Sequence, residues 1–204
     1  MNLYIGSGDV GSLLMGQQTK GYQDLFRKFF SESKPNYNAL ASPIDALRTG
    51  AILEGVYAEF LGDGYYEQVV TVSKEMDVFK SSLDFAKIEG GEVVDFDELK
   101  TIWFTEYVEI IKPMAELSEQ DLTKLLKRKF KKYYNQVQQQ LYTSELDECN
   151  LVFLSVESYD DAENYSRTIK DEDVTKFRIK RDEDVISLIK GRGGIFQSLK
   201  DNFK

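Results

Sequence analysis

The order of helix-like and strand-like patterns restricts the fold of this chain more than any other feature. A stripe of small and apolar residues around Glu54 predicts a helix that ends at the glycine turn of residues 62–64. The alternating runs YYEQVVTVSK and VFKSSLDFAKIE then predict two adjacent antiparallel strands. After a polar connection over residues 92–99, the run TIWFTEYVEII predicts a third strand.

The second half of the chain continues this mixed order. The run SEQDLTKLLKRKFKKYYNQVQQQLYTS predicts one long helix with Ser118 as its N-cap. NLVFLSVES and DVTKFRIKRD predict two more strands, and EDVISLIKGRGG predicts a last helix that is closed by glycine. The pattern is typical of an α/β protein with a mixed central β-sheet flanked by helices. With 204 residues and no linker-like segment, we expect a single domain over residues 1–204.

Composition excludes several kinds of catalytic site. The chain has no histidine, which excludes Ser-His-Asp and Cys-His catalysis and histidine-ligated zinc. Cys149 is the single cysteine, so an internal disulfide and a multi-cysteine metal site are also excluded. No apolar run approaches the roughly 20 residues that span a bilayer, and the N-terminus lacks the features of a secretory signal. We therefore expect an intracellular protein without membrane contact.

Four charged residues interrupt segments that are otherwise apolar. Glu54 lies in the helical stripe, Asp84 in the strand SSLDFA, and Glu109 and Lys112 in the run YVEIIKPM. Buried charges are costly unless they pair or bind a metal, so these residues are structural ion pairs, solvent-facing charges or parts of an active site. Carboxylate oxygens suit Mg²⁺ or Mn²⁺, and a lysine beside them suits phosphate chemistry. A second Glu-x-Lys triplet at 98–100 lies in the predicted connection, and it becomes a candidate only if the strand starts earlier.

A basic run occupies the predicted long helix. The segment KLLKRKFKK, residues 124–132, holds six basic residues and no acid, in a chain whose net charge is −9. The run is either a solvated helix face or a surface that binds phosphates. Under the second interpretation, the predicted DNA-binding residues on this helix are Lys124, Lys127, Arg128 and Lys131.

The sequence resembles the PD-(D/E)XK nuclease superfamily and, within it, the phage lambda exonuclease and YqaJ viral-recombinase group. The segment YYNQVQQQLYTS resembles the glutamine motif of that family, and VEIIKP resembles its Glu-x-Lys strand. SSLDFA matches the position of the family's aspartate, and TGAILEGVYAEF is similar to the helix that carries its first acidic residue. These segments occur in the family's order. The resemblance implies a restriction-endonuclease-like core.

The resemblance also implies roles for individual residues. Glu54, Asp84 and Glu109 would bind the divalent metal, Mg²⁺ or Mn²⁺. Lys112 would be the catalytic lysine, acting with Asp84 and Glu109, and Gln136 would position the substrate phosphate or water. Ser7, in IGSGDVGSLLMG, resembles a serine at the start of a helix near the DNA end.

Two departures from the family pattern are present. Phe85 stands where the family has a glycine after the aspartate. Two residues separate Glu109 from Lys112, whereas the family has one, and residues i and i+3 of a regular strand do not share a face. Either a β-bulge re-aims Lys112, or Ile111 occupies the lysine position and the enzyme is impaired. We expect the bulge, because Lys112 has no other reason to interrupt an apolar strand.

The resemblance implies a metal-dependent exonuclease that acts on linear duplex DNA, 5′ to 3′, and leaves 3′ overhangs. The implied partners are double-stranded DNA ends, a single-strand annealing protein and further copies of the chain in a ring such as a trimer. The implied location is the cytoplasm of a bacterial host, as for a phage protein. Two alternatives remain open: a catalytically impaired PD-(D/E)XK-fold module that binds DNA or protein, and an acidic interaction protein without a nucleic-acid role.

Overall fold

The computed structural model describes residues 3–31, 45–157 and 164–203. Short 3₁₀ turns lie at Ser7–Asp9 and Asp171–Asp173, and a π-helical turn at Tyr107–Ile111. The other helices and strands are, in chain order, β1 (Ile5–Gly6), α1 (Val10–Leu13), α2 (Lys20–Phe30), α3 (Asp45–Leu61), β2 (Tyr65–Val72), β3 (Phe79–Glu89), β4 (Glu92–Trp103), α4 (Phe104–Glu106), α5 (Lys112–Met114), α6 (Glu119–Lys129), α7 (Lys131–Ser144), β5 (Glu148–Val156), β6 (Val174–Lys180) and α8 (Glu183–Asp201).

The described strands form one six-stranded mixed sheet. Its order is β1-β3-β4-β5-β6, and β2 pairs with β3 outside this path. The pairs β1–β3 and β4–β5 are parallel. The pairs β2–β3, β3–β4 and β5–β6 are antiparallel. Helices cover both faces, because Leu151 and Phe153 of β5 pack with residues of α6 and α7, whereas Val152 and Leu154 pack with residues of α3. The predicted mixed sheet flanked by helices is therefore confirmed.

Most of the predicted elements occur, with two changes in the helices. The strands around Asp84 and the two late strands are confirmed, and Ser118 caps α6 by accepting from the backbone N–H of Asp121. The long helix is broken at Phe130, whose φ of −114° and ψ of 33° separate α6 from α7. The last helix does not end at its glycines but continues to Asp201. Gly193 lies inside it because a Cβ there would stand 2.1 Å from Phe79 of β3.

The prediction of a strand over residues 101–111 is correct for residues 101–103 and wrong for residues 104–111. β4 spans Glu92–Trp103, so the predicted polar connection is itself a strand, and Glu109 and Lys112 lie in the helical turns that follow it. The β-prone residues adopt helical geometry because Tyr107, Ile111 and Met114 are then buried on one face at spacings of four and three. Glu109 and Lys112 are exposed on the other face. The β-bulge proposed to re-aim Lys112 therefore does not exist.

No helix in residues 3–31, 45–157 or 164–203 combines the length and apolar character needed to cross a bilayer.

Candidate active site

β3 and β4 separate where the candidate site begins. Their backbone pairing runs from the hairpin turn to Phe85 and Asp97 and then stops. Beyond that point, the backbone N–H of Leu99 donates to Oδ2 of Asp84 at 3.0 Å, in place of a ladder bond to β3. The carboxylate of Asp84 therefore lies between the two strands, opposite the next residues of β4.

Glu98 and Lys100 occupy those residues of β4. They lie two positions apart, and so their side chains share one face of the strand. The Lys100 ammonium contacts Oε1 of Glu98, whose side chain is fully buried, while 18% of the Lys100 side chain is exposed. Gln136 donates to Oε1 and Gln140 to Oε2 of the same carboxylate. The buried charge of Glu98 is thus matched by one cation and two amide donors, which offset its desolvation.

The neighbouring residue Asp97 shows that β4 carries buried charge on both faces. Its carboxylate is also fully buried, and it accepts from Tyr57, Asn150 and Lys176 at 2.7 Å each. These three side-chain hydrogen bonds do not involve the carboxylate of Glu98. Because successive side chains of a strand point to opposite faces, Asp97 has a separate set of partners from the candidate site. We interpret it as a structural ion pair.

The acidic groups of the candidate site influence one another. Burial raises the pKa of Asp84 well above its usual value, and the charge of Glu98 raises it further, against the opposing effect of Lys100. Burial also raises the pKa of Glu54, which Lys100 lowers and Glu98 raises. Burial acts to lower the pKa of Lys100, but the charges of Glu98 and Asp84 outweigh it, and the pKa is raised. Three carboxyl groups therefore share one ammonium.

Glu54 reaches this cluster from α3. Its Oε2 accepts from the side-chain amide of Gln68 at 3.3 Å. Glu54, Lys100 and Tyr133 line an open cavity of about 380 Å³, so two members of the cluster, Glu54 and Lys100, are reached from this cavity. Gln68 has a φ of +52°, a conformation rare for a residue other than glycine, and it interrupts the pairing of β2 with β3 beside Asp84. Local backbone strain of this kind is concentrated at functional sites.

The glutamines of α7 donate hydrogen bonds to main-chain carbonyls of three strands of the sheet. Gln140 donates to the carbonyl of Ser82 at 3.0 Å as well as to Glu98, and Gln139 donates to the carbonyl of Ile5 at 3.0 Å. Gln138 donates to the carbonyl of Lys180 on the edge strand β6 at 3.0 Å. A helix so rich in buried amides is stable here because their N–H groups donate to main-chain carbonyls and to the Glu98 carboxylate.

The donor set suits a hard divalent cation such as Mg²⁺ or Mn²⁺. Glu54, Asp84 and Glu98 supply only oxygen ligands, and burial raises the pKa of both Asp84 and Glu54, an effect that a cation beside them opposes. As they stand, no three acidic, histidine or cysteine side chains in the described part of the chain are arranged to hold an ion. The oxygen ligands fit a hard divalent cation in their chemistry. To bind one ion, these side chains have to move closer to one another.

The predicted site residues divide into two groups. Glu54 and Asp84 lie in one cluster, and Gln136 contacts it through Glu98. Glu109 and Lys112 do not belong to it: both are exposed, and the Lys112 ammonium lies 5.5 Å from the ring centroid of Tyr107. Glu109 and Lys112 were predicted to lie beside Asp84, and Glu98 and Lys100 lie there instead.

Glu98 and Lys100 were set aside in the sequence because they lie in the predicted connection, although β4 does start earlier, at Glu92, and a third residue of the cluster, Gln140, was missed. The signal for the first two was the spacing itself, because Glu98 and Lys100 have one residue between them, as the resembled family does. Gln140 lies one helical turn after Gln136, so both amides face the same side of α7. That spacing was the available signal for the third.

The predicted DNA-binding residues have different surroundings. Ser7 is buried in the 3₁₀ turn that follows β1, with 6% of its surface exposed. Lys124 pairs with Asp121 at 3.1 Å and Lys127 with Asp182 at 2.5 Å. The remaining two, Arg128 and Lys131, are exposed. DNA contact by any of them stays a prediction.

Neither a protein-family model nor a curated protein sequence matches this chain. Among solved structures, it is similar to an alkaline exonuclease, LHK-Exo, from Laribacter hongkongensis, with a TM-score of 0.62, 17% identity, and coverage of 98% of this chain and 89% of that one. The complex of LHK-Exo with dAMP gives a TM-score of 0.61, 16% identity and coverage of 98% and 89%. A phage-related exonuclease from Haemophilus somnus 129PT gives 0.58, 14% identity and coverage of 100% and 96%.

These similarities confirm the predicted fold. The chain has the restriction-endonuclease-like α/β architecture of these exonucleases, over nearly its whole length. The fold is consistent with the resemblance to the PD-(D/E)XK nucleases of the YqaJ group. Activity has to be argued from the site itself.

Proposed function

We propose that this chain is a divalent-metal-dependent deoxyribonuclease, an exonuclease of the lambda-exonuclease type that hydrolyses phosphodiester bonds of linear duplex DNA. The observation that supports it best is the buried pair of Glu98 and Lys100 beside Asp84, at the point where β3 and β4 separate. The exonuclease names of the similar structures agree with this proposal.

Each residue of the cluster has a role in this proposal. Glu54, Asp84 and Glu98 would hold Mg²⁺ or Mn²⁺, which when bound stabilises charge on the phosphate and lowers the pKa of a water. The Lys100 ammonium is placed to stabilise negative charge that develops on the phosphate oxygens. Gln136, whose amide contacts Glu98 at the rim of the cluster, would orient the phosphate or the water.

The finer assignments are also proposals. From the resemblance we propose 5′ to 3′ digestion, 3′ overhangs that a single-strand annealing protein uses in recombination, and a ring of several copies such as a trimer. The word phage-related in the name of one similar structure agrees with a protein that acts in the cytoplasm of a bacterial host. We propose that Ser7, Arg128 and Lys131 contact the DNA.

The alternative of a catalytically impaired module rested on the spacing of Glu109 and Lys112. That support is gone, because Glu98 and Lys100 have the one-residue spacing and lie beside Asp84. The proposal of an active enzyme is therefore preferred.

The test compares two pairs of matched variants on linear duplex DNA with labelled ends. Glu98→Gln and Lys100→Met should each reduce Mg²⁺-dependent nucleotide release by about 10²-fold or more, since each removes a charge placed at the reacting phosphate. Glu109→Gln and Lys112→Met make the same chemical changes on an exposed helical face and should leave the rate unchanged. Chelation of the metal should abolish release, and a covalently closed circle should resist digestion. If the first pair retains the wild-type rate, or no release occurs under any divalent metal, the proposal fails.

A further inference from the structure

A groove of about 360 Å³ lies beside the cavity that Glu54 and Lys100 line. Its lining combines aromatic and basic side chains with a single acid, Glu106. We call it the Trp103 groove, and its other principal lining residues are Thr101, Trp103, Lys129, Phe130, Lys132 and Tyr133.

The Trp103 groove is continuous with the candidate active site. Thr101 and Tyr133 line both the groove and the cavity of Glu54 and Lys100. The Lys100 ammonium also lies 5.5 Å from the ring centroid of Tyr133. A polymer bound with one phosphate at the acidic cluster can therefore extend into the groove without leaving the protein surface.

The groove has the charge that a polyanion requires. Lys129 and Lys132 are exposed, and no acidic side chain in residues 3–31, 45–157 and 164–203 forms an ion pair with either of them. Lys124 and Lys127 of the same basic run are instead paired with acids. Of the exposed basic residues of this run that form no ion pair with a described acid, Lys129 and Lys132 line the groove.

The groove also presents aromatic surface to solvent. Trp103 is 40% exposed, although it is a large apolar side chain at the end of a central strand. Tyr133 is half-buried and lies parallel to Phe130, at an interplanar angle of 16° and a centroid distance of 6.3 Å. Aromatic rings next to basic groups are the combination that binds single-stranded nucleic acid, because bases stack on the rings while the phosphates contact the cations.

We propose that the Trp103 groove binds an unpaired stretch of the DNA strand that continues from the candidate active site. A nucleobase stacks on Trp103, and the adjoining phosphates contact Lys129 and Lys132. A base must be unpaired to stack in this way, so the groove selects a strand that has separated from its complement. The inference deepens the proposed nuclease function, and its test does not require turnover.

Trp103 is the only tryptophan of the chain, so its fluorescence reports on the groove alone. A single-stranded oligothymidylate, added in the presence of a chelator, should quench this fluorescence saturably and less strongly as salt is added. The double variant Lys129→Glu/Lys132→Glu should weaken binding by at least about 10-fold. Lys20→Glu/Arg192→Glu makes the same change in net charge at exposed sites on α2 and α8, and it should have a much smaller effect.

Substitution of the tryptophan tests stacking directly. With a fluorescently labelled oligothymidylate, Trp103→Ala should weaken binding by about 5- to 150-fold, whereas Trp103→Phe should retain most of the affinity. Tyr66→Ala removes an aromatic side chain that is 56% exposed on β2 and is the matched control, with no expected effect.

The outcomes separate this inference from the proposed function. Quenching and loss of binding in the Trp103 and lysine variants, without any nuclease activity, would support the groove and reject the nuclease. An active nuclease whose fluorescence does not respond, and whose groove variants bind normally, would overturn the inference alone. If Trp103→Ala changes the mass measured by light scattering and leaves DNA affinity intact, the groove is an interface between copies of the chain and the inference is wrong.

Discussion

Gln140 on α7 donates its side-chain amide to the buried carboxylate of Glu98 on β4. The same amide nitrogen donates to the carbonyl of Ser82 on β3 at 3.0 Å. One side chain therefore bonds to both strands at the place where their backbone pairing has ended. This contact holds Glu98 beside Asp84 and gives the glutamine motif a structural role.

The first prediction concerns this amide. Gln140→Leu should lower the free energy of unfolding by about 1–3 kcal/mol, because it removes the side-chain donor of the Ser82 carbonyl and of Oε2 of Glu98 in a buried site. Urea unfolding monitored by circular dichroism measures the change. Gln136→Leu, at a half-buried position bonded only to Glu98, is the comparison and should cost less. Equal stability of Gln140→Leu and the wild type would contradict this role.

The second prediction is a pH dependence at Asp84. Its pKa is raised in the folded state, so between the unfolded value of about 3.9 and the raised folded value the folded state holds more protons. Stability therefore falls as the pH rises through this interval. Asp84→Asn removes the buried charge, and without divalent metal it should be more stable than the wild type above the raised pKa, with the difference disappearing in acid.

Thermal unfolding in a chelating buffer across this pH range measures the effect. Each kcal/mol corresponds to a shift of about 2–4 °C for a chain of this size. Asp63→Asn, in the exposed turn after α3, should show no comparable gain at high pH. If Asp84→Asn is less stable than the wild type at every pH, burial of the charged Asp84 carboxylate does not destabilise the folded state.

The third prediction concerns metal binding without turnover. Mg²⁺ or Mn²⁺ at 100 times its dissociation constant should stabilise the folded chain by about 2.7 kcal/mol, because the ion binds only the folded arrangement of acids. The stabilisation should be lost in Asp84→Asn and in Glu98→Gln and retained in Glu109→Gln. Thermal unfolding in the presence of increasing metal concentrations provides the measurement. Stabilisation of all three variants to the same extent would place the ion elsewhere.

The fourth prediction tests the packing of α8 against the sheet. Gly193→Ala should destabilise the chain by about 1–3 kcal/mol, because the added Cβ would lie 2.1 Å from the ring of Phe79 in the interior of the sheet. Gly191→Ala is the control on the same helix, where a Cβ meets nothing within 4 Å. It should stabilise the helix by about 0.5–1 kcal/mol. The two variants should therefore change the free energy of unfolding in opposite directions, and chemical denaturation measures both changes.

Much of the fold was predictable because apolar periodicity reports which face of an element is buried. The strands around Asp84 and Phe153 alternate or are continuously apolar, and the pattern predicted them correctly. β4 was missed because its buried positions include the charged residues Asp97 and Glu98, which resemble a polar connection in sequence. Sequence patterns fail most often where function or specific pairing places charge in the interior.

The sequence by itself determined the α/β class, the positions of Glu54 and Asp84 on regular elements, and the glutamine-rich helical segment. Only the tertiary structure decided which glutamate and lysine accompany Asp84. Burial of Glu98 depends on Lys100, Gln136 and Gln140, and the last two lie on a helix remote in sequence. The free energy of a charged residue in the interior is set by such partners, and a local pattern of residues contains no information about them.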